Sequence, residues 1–273
     1  MPFGILNNIP ALQAEGALES TQMSLNTTLQ QLSTGQRINS GADDPAGLAI
    51  ANGLSANIAA LNQSVQNAND GVGNLQVADG ALSQVTSLLN TAVTIATEAS
   101  TGTVSSSQRD SLDAEYQQIL QEINRIGTTT EYNGTSVFSA ATTSIYLTDA
   151  NANSTITSTV GALSDTTLAL NGTSLAGVDG TGAQAALTLI DAAVQTVAND
   201  RGTIGASVNR LQDASAVMTT EVQNLTAAEN NIMAADIPSA ISSLSNLSVL
   251  SQTGMAALAQ ANSQQQSILK LLQ

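Results

Sequence analysis

Two long runs of heptad-spaced apolar residues constrain this chain more than any other feature in it. The first takes Leu54, Ile58, Leu61, Val65, Ala68, Val72 and Leu75 in steps of four and three, then Ala78, Leu82, Val85, Leu89, Ala92, Ala96 and Ala99. The second takes Leu187, Ile190, Val194, Val197, Ile204, Val208, Leu211, Met218, Val222, Leu225 and Ile232. Residues three and four apart share one face of an α-helix, so each run predicts a long helix that must bury one stripe against another helix. Residues 54 to 99 as one helix would reach about 70 Å. Two steps of three adjoin at Leu75, a phase change that locally alters a supercoil. Gly71, Gly73 and Gly80 lower helix propensity, so packing has to hold this helix together. The second stripe is interrupted at Arg201, Ser215 and Glu229. A bundle edge or local pairing accounts for them, and a register-setting role is the alternative.

Punctuation residues divide the rest. Asp44 before Pro45 is a helix start, because the carboxylate can cap free N–H groups and proline loses nothing at the first helical position. Ser33-Thr34-Gly35 and Ser40 to Pro45 break the chain before it, and Ala234 to Pro238 break it again near the end. After a loop at Thr101 to Ser106, Leu112, Tyr116, Ile119, Ile123 and Ile126 form a third stripe with Gly127 as its stop. Asp113, Glu115, Glu122 and Arg125 fall on the outer face of that helix. Residues 128 to 182 are rich in Ser, Thr, Gly and Asn. Thr143 to Thr148 and Ser154 to Val160 read as strands, with Asn133-Gly134 and Asn171-Gly172 as turns.

The terminal segments, Ile5 to Leu32 and Ser239 to Gln273, carry helix-spaced apolar residues and almost no charge: Glu15 and Glu19 in the first, Lys270 in the second. Pro10 and Gly16 weaken the first further. Each segment is apolar enough to need burial and too weak to stand alone. The layout is nearly palindromic, with weak helices at both ends, long helices inside them, and a third helix and an insert between. The expected fold is mainly α: a long antiparallel helical bundle or coiled coil with a small β-hairpin element and paired N- and C-terminal helices. Residues 1–42 and 236–273 form one discontinuous domain, and residues 43–235 a helical bundle with the insert at about 128–182, placed at its far tip. Ends of this kind predict a protein that orders on assembly with copies of itself.

Composition removes other classes. With no Cys and no His there is no thiol or triad chemistry and no Cys or His metal site, and no cofactor is expected. Aromatic residues are 2% of the chain and Trp is absent, a poor stock for lining a substrate pocket. Twenty-one acidic residues face six scattered basic ones, which argues against nucleic-acid binding and anionic membranes. No run approaches the roughly 18 apolar residues of a membrane span. The first residues also lack the basic and apolar regions of a cleaved signal.

Among polar segments, the loop from Arg37 to Asp44 stands out. Arg37, Ile38, Asn39, Asp43 and Asp44 are candidates for contacts between subunits, Arg37 through acidic groups of a neighbour. The plainer reading is a capped connection between helices. Asp43 and Asp44 lack the further ligands that a hard cation needs. Leu18, Leu25, Leu29 and Leu32 at one end, and Leu244, Leu247, Leu258, Leu271 and Leu272 at the other, are candidates for apolar assembly contacts.

Gln31 to Ala51 (QLSTGQRINSGADDPAGLAIA) resembles the N-terminal signature of bacterial flagellins. Asn67 to Gly71, Gly80 to Leu82 and Glu131 to Gly134 continue it, while Asp200 to Arg210 and Leu258 to Asn262 resemble the C-terminal signature. The resemblance covers residues 1 to about 138 and about 185 to 273. It implies a secreted subunit of the flagellar filament, a homopolymer whose terminal helices line the core and whose long helices form the next layer. It further implies unfolded export through the flagellar type III apparatus, an export chaperone at the C-terminal segment, and filament cap and junction proteins as partners. The short insert implies a thin, smooth filament, with O-glycosylation of Ser and Thr in 139–182 more plausible than use of the Asn triplets at Asn133, Asn153 and Asn171. Many flagellins carry arginines on the long helix that a host Toll-like receptor reads together with a glutamate. Glu115 fits the glutamate, whereas Leu89 to Ala96 has no arginine and Thr91 stands in that stretch, which implies weak or absent recognition. The alternatives are a hook-filament junction protein and, from another class, a coiled-coil signalling scaffold.

Overall fold

The computed structural model of the protein describes residues 8–140, 142–147 and 155–271. Five helices dominate it: α1 (Ile9–Thr34), α2 (Pro45–Ser100), α3 (Ser106–Thr129), α4 (Thr181–Met233) and α5 (Ile237–Leu271). Four short strands lie between α3 and α4: β1 (Glu131–Tyr132), β2 (Thr135–Ser136), β3 (Thr142–Tyr146) and β4 (Thr155–Thr159). The chain separates into two compact units, one of Met1–Ile58 with Gln223–Gln273 and one of Ala59–Val222. Helices α2 and α4 have residues in both.

Helix ends follow the caps written in the sequence. The Asp44 carboxylate accepts the Gly47 N–H at 2.9 Å, as a capping acid before Pro45 should. Ser105 and Gln108 form a reciprocal capping box on α3. Helix α1 ends at Gly35, whose φ of 70° is open to glycine at no steric cost. Helix α3 runs through Gly127 to Thr129 rather than stopping there. That glycine serves packing instead.

In the first unit, α1 and α5 pair antiparallel. The amide of Asn8 reaches Ala261 O and Asn262 Oδ1, Leu18 lies against Gly254, and Ala235 N donates to Gly35 O. In the second unit, α2 and α4 also run antiparallel: Leu211 lies over Gly71, and Arg201 bonds Asp79. The first stripe is buried from Leu75 through Ala99, with Ala68, Leu75, Ala78, Leu82, Val85, Leu89, Ala92, Ala96 and Ala99 shielded from water. Alanine at five of these nine positions brings backbones close and secures dispersion contacts without aromatic bulk. The phase change at Leu75 leaves α2 unbroken. Arg201, one of the stripe's interruptions, is a half-exposed local ion pair at 2.7 Å.

The insert does not sit at a tip. It folds back along the helices of its own unit. Asn133 and Gly134, with φ of 51° and 74°, make the tight turn joining β1 to β2, and β3 pairs antiparallel with β4. Ile145 packs onto Gly71, the Tyr132 hydroxyl onto Gly73 and the Leu163 carbonyl onto Gly127. Irregular backbone needs partners for its polar groups, and α3 supplies them in sequence. Asp165 N donates to Asn124 Oδ1 at 2.8 Å, Gln117 Nε2 to Thr173 O at 2.8 Å, and Leu175 N to Asp113 Oδ1 at 2.6 Å. Arg109 completes the series. It is 2% exposed and donates to Ala99 O, Thr101 O, Gly177 O and Val178 O, joining the C-terminal carbonyls of α2 to the end of the insert.

A methyl group at Gly127 would meet the Leu163 carbonyl oxygen at 1.9 Å, whereas one at Gly80 would meet nothing within 4 Å. Gly127→Ala is therefore expected to destabilise the chain by about 1–3 kcal/mol. Gly80→Ala should stabilise it by about 0.5–1 kcal/mol. Urea unfolding of both variants checks this, and equal effects would contradict the packing described.

Candidate functional site

The second unit holds a cavity of about 60 Å³ lined in part by Leu82, Phe138, Leu163, Asp200 and Ile204. Substrate pockets run to about 300–1,000 Å³. Partial burial pushes the Asp200 carboxyl above its ordinary range. Among the described residues, no cluster of His, Cys, Asp and Glu could hold a metal ion, and no helix is long and apolar enough to cross a membrane.

The unusual surface belongs to α1 and α5. Ile9, Leu12, Met23 and Leu29 on α1, and Ile241, Val249, Leu250 and Met255 on α5, are exposed. Two helices pack along one seam and leave the rest of each circumference in water. Glu15 and Glu19 are the only charged residues of α1, and Lys270 the only one of α5, so little charge surrounds these side chains. Large exposed apolar surfaces on a chain of this kind mark interaction sites.

The leucines picked from the sequence fall differently. Leu18, Leu25, Leu32, Leu244, Leu247 and Leu258 are half-buried, and Leu29 alone is exposed. Leu271 closes α5, and its side chain and Leu272 lie outside the described residues. Heptad spacing selects the seam of the two-helix pair, as at Leu18 beside Gly254. Apart from Leu29, the freely exposed residues lie off that spacing, and the signal that finds them is the near-absence of charge around the whole helix.

The loop after α1 is a compact junction. Arg37 donates its backbone N–H to Met233 O and its guanidinium, at 2.9 Å, to Ile232 O. A cation on the last carbonyls of α4 is favoured by the helix dipole, so Arg37 acts within the chain while its side chain stays exposed. Gln36 bridges Ala234 beside it. Ile38 is fully buried near Gly47 and anchors the loop. Asn39 Nδ2 donates to Gln36 O at 2.9 Å. Asp43 Oδ2 accepts from Asn39 N, Ser40 N and Ser40 Oγ at 3.0, 2.8 and 3.1 Å. Those donors, the Asn39 N–H first, hold the Asp43 carboxyl below its ordinary range. Thr91 on α2 and Glu115 on α3 are both exposed.

Known proteins agree with this organisation. The family description "bacterial flagellin N-terminal helical region" matches residues 5–143, and "bacterial flagellin C-terminal helical region" matches residues 187–272. A flagellin of Halalkalibacterium halodurans is 33% identical over 271 residues, covering 98% of this chain and 99% of its own. A flagellin of Escherichia coli O127:H6 is 37% identical across 78% of this chain and 38% of its own greater length. The flagellar filament 30.7 kDa core protein of Treponema maltophilum is 29% identical across 98% of this chain and 99% of its own. The structure of a putative flagellar hook-associated protein from Vibrio parahaemolyticus, 15% identical, superposes with a TM-score of 0.61 over 70% of this chain and all of its own, a likeness of fold.

A group with a depressed folded pKa contributes stability above its unfolded value, and the contribution is lost as pH falls through the folded value. For Asp43 the contribution is complete above about pH 4 and fades below it. Amide hydrogen exchange at Asn39 and Ser40 is expected to rise, beyond the intrinsic pH trend, as pH drops through that window, and Asp43→Asn should abolish the step. A flat profile in the parent chain would show that the carboxylate does not hold the loop.

Proposed function

The chain belongs to the bacterial flagellin family, and from that premise we propose that it assembles by burying the exposed apolar flanks of α1 and α5 between neighbouring copies. It is a structural subunit of the extracellular flagellar filament, from a family of structural proteins. The carrying observation is the run of exposed apolar side chains on two nearly uncharged, paired helices. Covering each would contribute about 1–2 kcal/mol. Eight such side chains together offset an association cost of about 4–15 kcal/mol.

In this reading, residues 1–42 and 236–273 form the core of the filament, and residues 43–235 the layer around it, with the insert at about 128–182. The half-buried leucines Leu18, Leu25, Leu32, Leu244, Leu247 and Leu258 fix the helix pair. Leu29 and the other exposed apolar residues make the contacts between subunits, and the leucines at 271 and 272 extend them. The loop of Ile38, Asn39, Asp43 and Asp44 sets the angle between α1 and α2, and Arg37 carries a positive charge to an acidic neighbour. Export through the flagellar type III apparatus, a chaperone on the C-terminal segment, and cap and junction proteins at the filament ends complete the set of partners. The match over 99% of the length of a short flagellin supports a thin filament without added outer domains.

Purified protein seeded with sheared filaments should give long uniform filaments by negative-stain electron microscopy. Arg37→Glu is expected to raise the critical concentration about tenfold, equivalent to about 1.4 kcal/mol per contact, with monomer helicity by circular dichroism unchanged. Soluble protein beside competent seeds would refute the assembly reading, and undiminished assembly of Arg37→Glu would refute the role of that residue.

Thr91 and Glu115 stand at the positions that correspond to receptor recognition in many flagellins. Glu115 is available there, but a threonine cannot replace a bidentate guanidinium. In a Toll-like receptor reporter assay the chain is expected to be much less potent than an arginine-bearing flagellin. Equal potency would overturn this expectation.

A further inference from the structure

The chain contains no Cys, no His and no Trp. Its methionine thioethers are therefore the side chains that a two-electron oxidant attacks first. There are five, at positions 1, 23, 218, 233 and 255. Met218 is buried in the second unit and Met233 is half-buried at the end of α4. Met23 on α1 and Met255 on α5 are 60% and 53% exposed. The two accessible thioethers of the described helices thus stand on the two helices whose apolar flanks await partners.

We propose that Met23 and Met255 are oxidation sites through which hydroperoxides switch off subunit assembly, an inference that rests on the assembly reading above. In each event the thioether sulfur gives an electron pair to the distal oxygen of hydrogen peroxide. The S–O bond forms, the O–O bond breaks, and water leaves. Sulfur is oxidised by two electrons and peroxide is reduced by two. The product is a polar sulfoxide in place of a flexible apolar side chain. A subunit bearing it must desolvate a strong acceptor when that flank is buried. Once polymerised, the same sulfurs are covered. The free subunit is the sensitive form and the filament the protected one, so oxidation acts on growth rather than on filaments already built.

The test exposes monomer and preformed filaments to the same dose of hydrogen peroxide and maps each methionine by peptide mass spectrometry before seeded elongation. Oxidation at Met23 and Met255 is expected in the monomer and reduced in the filament, with Met218 spared in both. The oxidised monomer should need about tenfold more protein to elongate, from the cost of burying an unpaired polar group. Treatment with the two methionine sulfoxide reductases, one for each sulfur epimer, should restore elongation. The double variant Met23→Leu and Met255→Leu should elongate equally before and after peroxide. If those substitutions themselves prevent assembly, reductase rescue of the parent chain decides. Oxidised monomer that elongates normally, rescue that fails, or a leucine variant that loses elongation after peroxide overturns the inference. Untreated monomer that fails on competent seeds overturns the assembly reading and this inference with it.

Discussion

Two paired helices cannot bury the whole of an apolar circumference, and the behaviour of this chain depends on that limit. Helices α1 and α5 satisfy one another along a single seam. Leu18, Leu25, Leu244 and Leu258 lie half-covered there, while Leu12, Met23, Val249 and Met255 remain in water. A third or fourth helix from the same chain would close such a core. In the proposed assembly, copies of the chain supply it instead. A heterologous contact between identical subunits that does not close on itself gives an open helical filament, which is how the incompleteness of the pair would lead to the polymer.

The second unit solves the opposite problem, with a self-sufficient core built almost without aromatics. Small residues along α2 let helix backbones approach, and glycines at 71, 73 and 127 leave notches that Ile145, Tyr132 and the Leu163 carbonyl fill. Polar side chains on α3 receive the backbone of the returning insert, and Arg109 ties its end to the last carbonyls of α2. A guanidinium suits this task because its planar fork offers five donors and stays charged at any relevant pH. Truncating it would remove the donor shared by the carbonyls of Ala99, Thr101, Gly177 and Val178.

The helices were legible because their signals are periodic or local. The heptad stripes, Asp44-Pro45, the break at Gly35 and the Asn133-Gly134 turn all act over a few residues, and all are present. The path of the insert was not legible. It depends on side chains of α3: Asp113, which reads as part of an outer polar face until the chain folds back onto it, and Asn124, to which no local pattern assigns a role. Gly127 read as a helix stop for the same reason: a notch and a terminus look alike in sequence. Arg37 offered a cation for a neighbour, and the structure adds its bond to Ile232 O, a partner 195 residues away that no local pattern could name. Spacing picks out leucines of both kinds: Leu18 lies in the seam of the helix pair, and Leu29 is exposed on its flank.

Charge completes the argument. The chain carries a formal net charge of -15, and packing many such copies together is opposed by self-repulsion. The acids are not spread evenly. Helix α1 holds two and α5 holds none, so the surfaces that must approach most closely are nearly neutral. Most of the charge sits on segments that can stay in water, where salt screens it over about 10 Å. Placing weak, sparsely charged helices at the two ends therefore does two things. It leaves an apolar flank for another copy to cover, and it keeps the repulsion of an acidic chain away from that contact.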